Sequence, residues 1–194
     1  MSSYKLPGSL GEHLFPRQQG SPSRAQEFYR KQMLDHLNPT MRAFLAEQEM
    51  FFLATTDGKG RCDCSLRTGE RGVLRTLDER TLCYPEYRAN GVCSSLGNII
   101  ENPQVSLLIV DFFHHGIGLH VNGRAKIRPH DERWRDGRWP PKNVAGGRPP
   151  ELWVVVEIVE AYLHGSRHIP LLSKLPRDIE GGTEDVRKKG GDFL

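Results

Sequence analysis

From Met50 to Leu163 the chain alternates apolar runs with tight turns, and only one stretch in that span has a helical pattern. That rhythm allows few folds. Met50–Thr56 is a buried-type strand, Asp57-Gly58-Lys59-Gly60 a turn, and Arg61–Arg67 a returning strand. Val73–Leu77 and Thr81–Tyr84 flank the tight turn Asp78-Glu79-Arg80. Val105–Phe112 is the most apolar strand. His114-His115-Gly116 then turns the chain into Ile117–Ile127, where Asn122-Gly123 marks a bulge or bend, and Leu152–Leu163 is the last long strand. Strands separated by short turns, with one helix inserted midway, predict a closed or nearly closed antiparallel barrel.

The inserted helix carries the chemistry. Tyr84 to Pro103 opens as a strand, passes through a small polar turn and becomes a helix near 92–101. A helix start exposes backbone N–H groups and a partial positive charge, which suits an anion. Arg88, Asn90, Ser94 and Ser95 crowd that start with donors fit for a phosphate. The alternative is structural: Asn90-Gly91 as a turn, Ser94 as a helix cap, Arg88 as a solvated charge.

Ahead of the barrel, Ser23 is the expected N-cap of a helix from Arg24 to about His36, and Thr40 that of a second from Met41 to about Glu49. Hydrophobic residues make up 37% of the 194, with a mean hydropathy of -0.53. Both values are low for a compact core, so residues 1–22 and 164–194 are expected to be arms around a domain at 23–163. Arms without a core of their own need another surface, which suggests a dimer. The net charge of +3, without a basic run or a series of stacking aromatics, gives no nucleic-acid surface. No apolar run approaches a membrane span, and no apolar signal core opens the chain, so a cytoplasmic protein is expected. Cys62, Cys64, Cys83 and Cys93 form no stapling framework and suit reduced thiols.

In order and spacing, these segments resemble the pyridoxamine 5′-phosphate oxidase-like family of FMN-binding split barrels. The resemblance runs from about Phe28 onward. Phe51-Phe52-Leu53-Ala54-Thr55 to Ser65-Leu66-Arg67 is similar to the family's first hairpin, and Asp78 to Pro85 to the strand pair leading to the flavin phosphate. Asn90-Gly91, Ser95-Leu96-Gly97-Asn98-Ile99 and Asn102-Pro103-Gln104-Val105 resemble its phosphate-binding helix and next strand. Leu119–Ala125 resembles its long central strand, and Ala161–Pro170 a C-terminal segment of its uncharacterised branch. The resemblance implies a mainly β, six-stranded Greek-key split barrel with N-terminal helices and a C-terminal arm. It also implies a homodimer with FMN at the subunit interface. Ser94-Ser95 stands where true pyridoxamine phosphate oxidases carry an Arg-Lys pair, so the resemblance supports FMN more firmly than it supports that reaction.

The cofactor set expected on this basis is Asp63, Cys64, Ser65 and Arg67 at the ring, Arg88, Asn90, Ser94 and Ser95 at the phosphate, and Arg75, Pro85, Tyr87 and His120 nearby. Several of these have plainer readings. The plainer reading of Arg75 is an exposed strand position, and that of His120 an ordinary interface or strand-face histidine. Cys62 and Cys64, on one strand face, are buried structural thiols or pocket lining; the spacing is too short for the usual metal hook. His114-His115 reads as a solvated turn, Trp153 as core, and Trp134 and Trp139 as covers for a pocket. No metal site, GxGxxG motif or nucleophile triad emerges. The function expected is flavin-mediated hydride transfer on a small molecule, with NAD(P)H as a candidate donor. The alternatives are a non-catalytic flavin binder, or the same barrel holding F420, or haem with His164 or His168 as ligand.

Overall fold

The computed structural model describes residues 8–18, 22–87, 93–130, 133–134, 141, 150–164 and 168–175. Three helices precede the sheet: α1 Leu10–Gln18, α2 Pro22–Lys31 and α3 Pro39–Ala46. The strands are β1 Met50–Thr56, β2 Cys62–Thr68, β3 Arg75–Asp78, β4 Thr81–Glu86, β5 Gln104–Asp111, β6 Ile117–Pro129 and β7 Leu152–His164, with α4 Ser94–Glu101 between β4 and β5. All the strand pairings are antiparallel, in the order β2-β1-β5-β6-β7-β4-β3. The fold is the mainly β split barrel with flanking helices, with seven strands among the described residues rather than six.

Two contacts show that this sheet is curled. Phe51 on β1 and Tyr84 on β4 are four places apart in the strand order. At about 4.8 Å per strand, a flat sheet would separate them by roughly 19 Å. Their ring centroids lie 5.1 Å apart. Arg67 on β2 and Glu86 on β4 are five places apart, yet Arg67 Nη2 comes within 3.0 Å of Glu86 Oε1. The sheet therefore wraps until β2 and β4 face each other across a split. Inside it, Phe51, Leu53, Leu82, Leu107, Ile109, Leu119, Val121, Val154 and Val156 form one core with Met41 and Leu45 of α3 and Ile99 of α4.

The Asn122-Gly123 bulge is present: the β6–β7 register shifts between these two residues. A Cβ on Gly123 would lie 2.3 Å from the Glu157 carbonyl oxygen, so only glycine lets the strands approach this closely. The caps differ from expectation. Asn38, not Thr40, caps α3: its side chain accepts the Met41 N–H and Pro39 follows at the helix start. The expected helix from Arg24 to His36 runs instead from Pro22 to Lys31. The 1–22 arm contains α1, which Glu12 ties to the Tyr29 hydroxyl at 3.3 Å. No helix among the described residues is long and apolar enough to cross a membrane.

Trp153 is fully buried, as expected of a core residue. It packs on the outer side of the barrel with Cys83, Val155 and Trp134. Trp134 thus covers this second cluster rather than a pocket, and Trp139 lies outside the described residues. No disulfide links Cys62, Cys64, Cys83 or Cys93.

Candidate functional site

A cleft of about 460 Å³ opens where the barrel splits. Ser65 and Arg67 line it from β2, Glu86 and Tyr87 from the end of β4, Cys93 to Leu96 from the start of α4, and Glu151 and Leu152 from the start of β7. The volume falls in the range of about 300–1,000 Å³ common for small-molecule sites.

Paired side chains fix α4 at the split. Asn98 Nδ2 donates to Thr55 Oγ1 at 3.0 Å and Asn102 Nδ2 to Thr56 Oγ1 at 2.7 Å, both on β1. Glu101 accepts the Gly58 N–H at 2.9 Å. These contacts hold the back of the helix against β1 and its turn, which leaves its start facing β2. Cys93, the residue before the helix, has left-handed backbone angles (φ 49°, ψ 37°) and makes no side-chain cap. Ser94 is therefore the first helical residue, not the cap, and the helix start has no side-chain acceptor from its own N-cap.

Asp63 bonds the side chains of the helix start and leaves the helix's backbone N–H groups alone. Its carboxylate accepts from the Ser94 hydroxyl at 3.2 Å and the Ser95 hydroxyl at 3.4 Å, and Ser95 Oγ lies 3.3 Å from Ser65 Oγ. Asp63 was expected at a ring; it is not among the residues lining the cleft, and its carboxylate is bonded to the two serines at the helix start. Asp63, Ser65 and Arg67 alternate along β2, so Arg67 lies roughly 13 Å from Asp63 down the strand. The cleft thus has two poles, a helix start with serines and an Arg67–Glu86 pair.

That second pole is not saturated. Arg67 Nη2 and Glu86 Oε1 are at ion-pair distance. Yet Arg67 Nε and Glu86 Oε1 are buried without an aligned hydrogen bond, as is the hydroxyl of Tyr84, two residues before Glu86 on the same strand face. Burial pushes the Glu86 carboxyl above its ordinary pKa, with Arg67 opposing the rise. Burial also raises the Tyr84 phenol, and Glu86 adds to that rise.

Of the residues expected from sequence, the structure brings Ser65, Arg67, Tyr87, Ser94 and Ser95 into this cleft. Arg88 and Asn90 lie outside the described residues. Cys64 does not line the cleft: with Cys62 it faces outward from the edge strand β2, and both are exposed rather than buried. Pro85 alternates away from Tyr84 and Glu86 and pairs with Trp153. Arg75 is not in the lining; its charge acts on Tyr87, where it opposes the rise that burial causes in the phenol. His120 lies on the outer sheet face, stacked on Tyr162 at 4.7 Å. The lining residues that sequence reasoning missed are Cys93, Leu96, Glu151, Leu152 and, on the strand, Glu86. For Glu86 the signal was available, because a strand that buries Leu82 and Tyr84 must turn residue 86 inward as well.

His114 and His115 do form a turn, held by Asp111. The Asp111 carboxylate accepts the backbone N–H groups of Phe113, His114 and His115 at 2.9, 3.0 and 2.9 Å, and His115 Nδ1 lies 3.1 Å away. Burial alone would raise its pKa; these donors outweigh burial and hold it well below the usual carboxylate range. No three metal-ligating side chains gather among the described residues.

A family model described as pyridoxamine 5′-phosphate oxidase matches residues 37–165. No curated protein sequence matches the chain. Among solved structures, HupZ of Group A Streptococcus is 19% identical, over 66% of this chain and 94% of its own, with a TM-score of 0.47. An FMN-binding protein of Syntrophomonas wolfei is 15% identical over 64% and 83%, with a TM-score of 0.47. General Stress Protein 26 of Bacillus anthracis is 15% identical over 63% and 89%, with a TM-score of 0.42.

Proposed function

The chain belongs to the pyridoxamine 5′-phosphate oxidase family, and we propose that it is an FMN-dependent oxidoreductase with the cofactor in the cleft between β2 and β4. One observation carries this reading. The same cleft joins a helix start bearing two serine hydroxyls to a pole where Arg67 pairs with Glu86 at 3.0 Å. A ligand with an anionic end and a polar ring suits both poles.

In this assignment the α4 start, Ser94 and Ser95, with Arg88 and Asn90 of the preceding segment, hold the phosphate. Ser65, Arg67 and Glu86 orient the ring, and Tyr87, Leu96 and Leu152 shield it from water. Bound FMN supplies two-electron hydride transfer; the protein supplies position and a dry site. Asp63 tempers the fit, because its carboxylate shares the helix start with the phosphate. Arg67 is also the sole cation among the described lining residues, which favours FMN over a cofactor with a long anionic tail such as F420.

The same proposal makes the active form a homodimer. Register places Leu66, Phe52, Leu108, His120 and Tyr162 in one cross-strand row on the outer face of the sheet. Leu66 is 52% exposed in the single chain. A second copy covering this row would remove an apolar stripe from water. It would also give His120 the interface position expected for it.

Purified protein is expected to be yellow and to release FMN on denaturation. Colourless protein that binds no added FMN overturns the assignment. Reduction of the bound flavin by NADH or NADPH, with turnover on an acceptor, distinguishes an enzyme from a non-catalytic flavin carrier. The double variant Arg88→Ala, Ser95→Ala tests the phosphate pole. Loss of a charge-assisted bond there costs about 1.5–3 kcal/mol, roughly tenfold to a hundredfold in affinity; unchanged affinity removes these residues from the site.

A further inference from the structure

A second cavity, of about 500 Å³, lies where α3, the start of β1 and the β5–β6 turn meet, and it shares no lining residue with the split. Phe44, Met50, Val110, Phe113 and Ile117 give it an apolar wall. Residues 168–175 run along its rim. Gly116 lies against Ile169 and Leu171, and the Leu172 N–H donates to the Phe112 carbonyl at 2.7 Å. Lys174 then pairs with Glu49, just ahead of β1, with its ammonium 4.9 Å from the centre of the Phe113 ring. The C-terminal segment is thus tied to two sides of the cavity, to the β5–β6 turn by its backbone and to the start of β1 by Lys174.

The charged groups that line this cavity are already matched. Lys174 pairs with Glu49 and Arg71 with Glu47. Asp111 accepts the N–H groups of its own turn and lies within ion-pair distance of His114 and His115. A charged ligand would leave water for an apolar wall and find no unpaired counter-charge there. A neutral ring meets no such cost. Phe44 and Phe113 supply ring faces and edges, and Met50 a thioether, all of which suit an aromatic guest. The volume falls in the range common for small-molecule sites. We propose that this cavity is a second small-molecule site, selective for a neutral aromatic compound, with Lys174 holding the C-terminal segment across its rim. The site stands apart from the FMN reading, because neither cavity borrows a residue from the other.

The probes are indole, the anion indole-3-acetate and the cation tryptamine, each titrated against the full chain and followed by backbone amide shifts in NMR. Indole is expected to move the amides of 113–117 and 172–174 and to leave 94–96 in place. Both charged probes are expected to bind at least about tenfold more weakly, the cost of taking a charge out of water. Ala43 lines the cavity from an exposed position on α3, so Ala43→Trp fills the space without entering the core, and is expected to abolish the indole shifts. Lys174→Met frees the Glu49 carboxylate and is expected to improve tryptamine relative to indole a few-fold. Absence of indole shifts, or shifts at 94–96 alone, overturns the site whatever becomes of FMN. Equal binding of the three probes overturns its preference for a neutral ring. Indole binding that survives Ala43→Trp, or that weakens as the protein is concentrated, gives the cavity to another occupant and overturns the proposal as well. An unchanged tryptamine ratio in Lys174→Met removes Lys174 from the rim. The wild-type titrations need no variant, so a poorly folding substitution does not protect the proposal.

Discussion

Asp111 and Glu86 are both buried acids on the inner face of a barrel strand, yet they are held in opposite ways. Asp111 is surrounded by donors: three backbone N–H groups of its own turn and the ring nitrogen of His115. Glu86 faces one guanidinium, with Oε1 3.0 Å from Arg67 Nη2 but without an aligned hydrogen bond. Each borders a cavity, and the Asp111 cavity, at about 500 Å³, is the larger. Size therefore is not the ground on which the split is proposed as the site. A carboxylate ringed by its own turn's donors locks local structure, while one with a single charged partner from a distant strand is the better candidate for a binding role.

The largest effect expected from this contrast is on stability at Asp111. Asp111→Ala strips the acceptor from three N–H groups and is expected to cost about 2–4 kcal/mol in urea denaturation, with FMN affinity unchanged. A cost no larger than that of a surface substitution would break the contrast from the structural side. The pH dependence has a definite sign. Because Asp111 is held below its unfolded value, its contribution is present above the ordinary carboxylate range, at about pH 4, and is lost as pH falls below it. Asp111→Asn is expected to flatten that acid limb.

Glu86 is expected to behave in the reverse manner. Its raised pKa means that ionisation disfavours the folded state, so its contribution is greatest at low pH and declines as pH rises through the carboxylate range. Glu86→Gln is expected to change apo stability by less than about 1 kcal/mol at pH 7, far less than Asp111→Ala. A stability loss matching that of Asp111→Ala would make Glu86 a second structural acid.

The dimer face gives a change of state rather than of energy. Leu66→Asp is expected to convert a dimer to a monomer in light scattering; an unchanged mass would dissociate the outer row from assembly. The smallest effect belongs to Asp63. Asp63→Asn removes a like charge from the phosphate pole and is expected to tighten FMN a few-fold, on the order of 1 kcal/mol or less. Riboflavin, without a phosphate, should be unaffected; equal tightening of both would move the phosphate away from Ser94 and Ser95.

Much of this fold was legible because strands and turns leave a period. The hairpins, the bulge at Asn122-Gly123 and the inserted helix all follow from local pattern. Leu10–Gln18 was not legible: Pro16 interrupts the run, and its contacts with Tyr29 come from α2. The site was legible in part. Alternation on β2 separates Asp63, Ser65 and Arg67 from Cys62, Cys64 and Leu66, but does not say which set faces inward. Hydrophobicity would turn the cysteines and Leu66 inward; the fold turns the polar set to the cleft and leaves Leu66 exposed. The Arg67–Glu86 contact was hidden altogether, because its two strands meet only after five ladder steps have curled the sheet.

The claim that the split is the cofactor site is tested most directly by hydrogen exchange of the full chain with and without FMN. Added FMN is expected to protect residues 63–67, 84–87 and 94–97, and to leave 44–50 and 110–117, around the larger cavity, unchanged. Protection at 44–50 and 110–117 with none at the split would place the cofactor beside Asp111 and contradict the account.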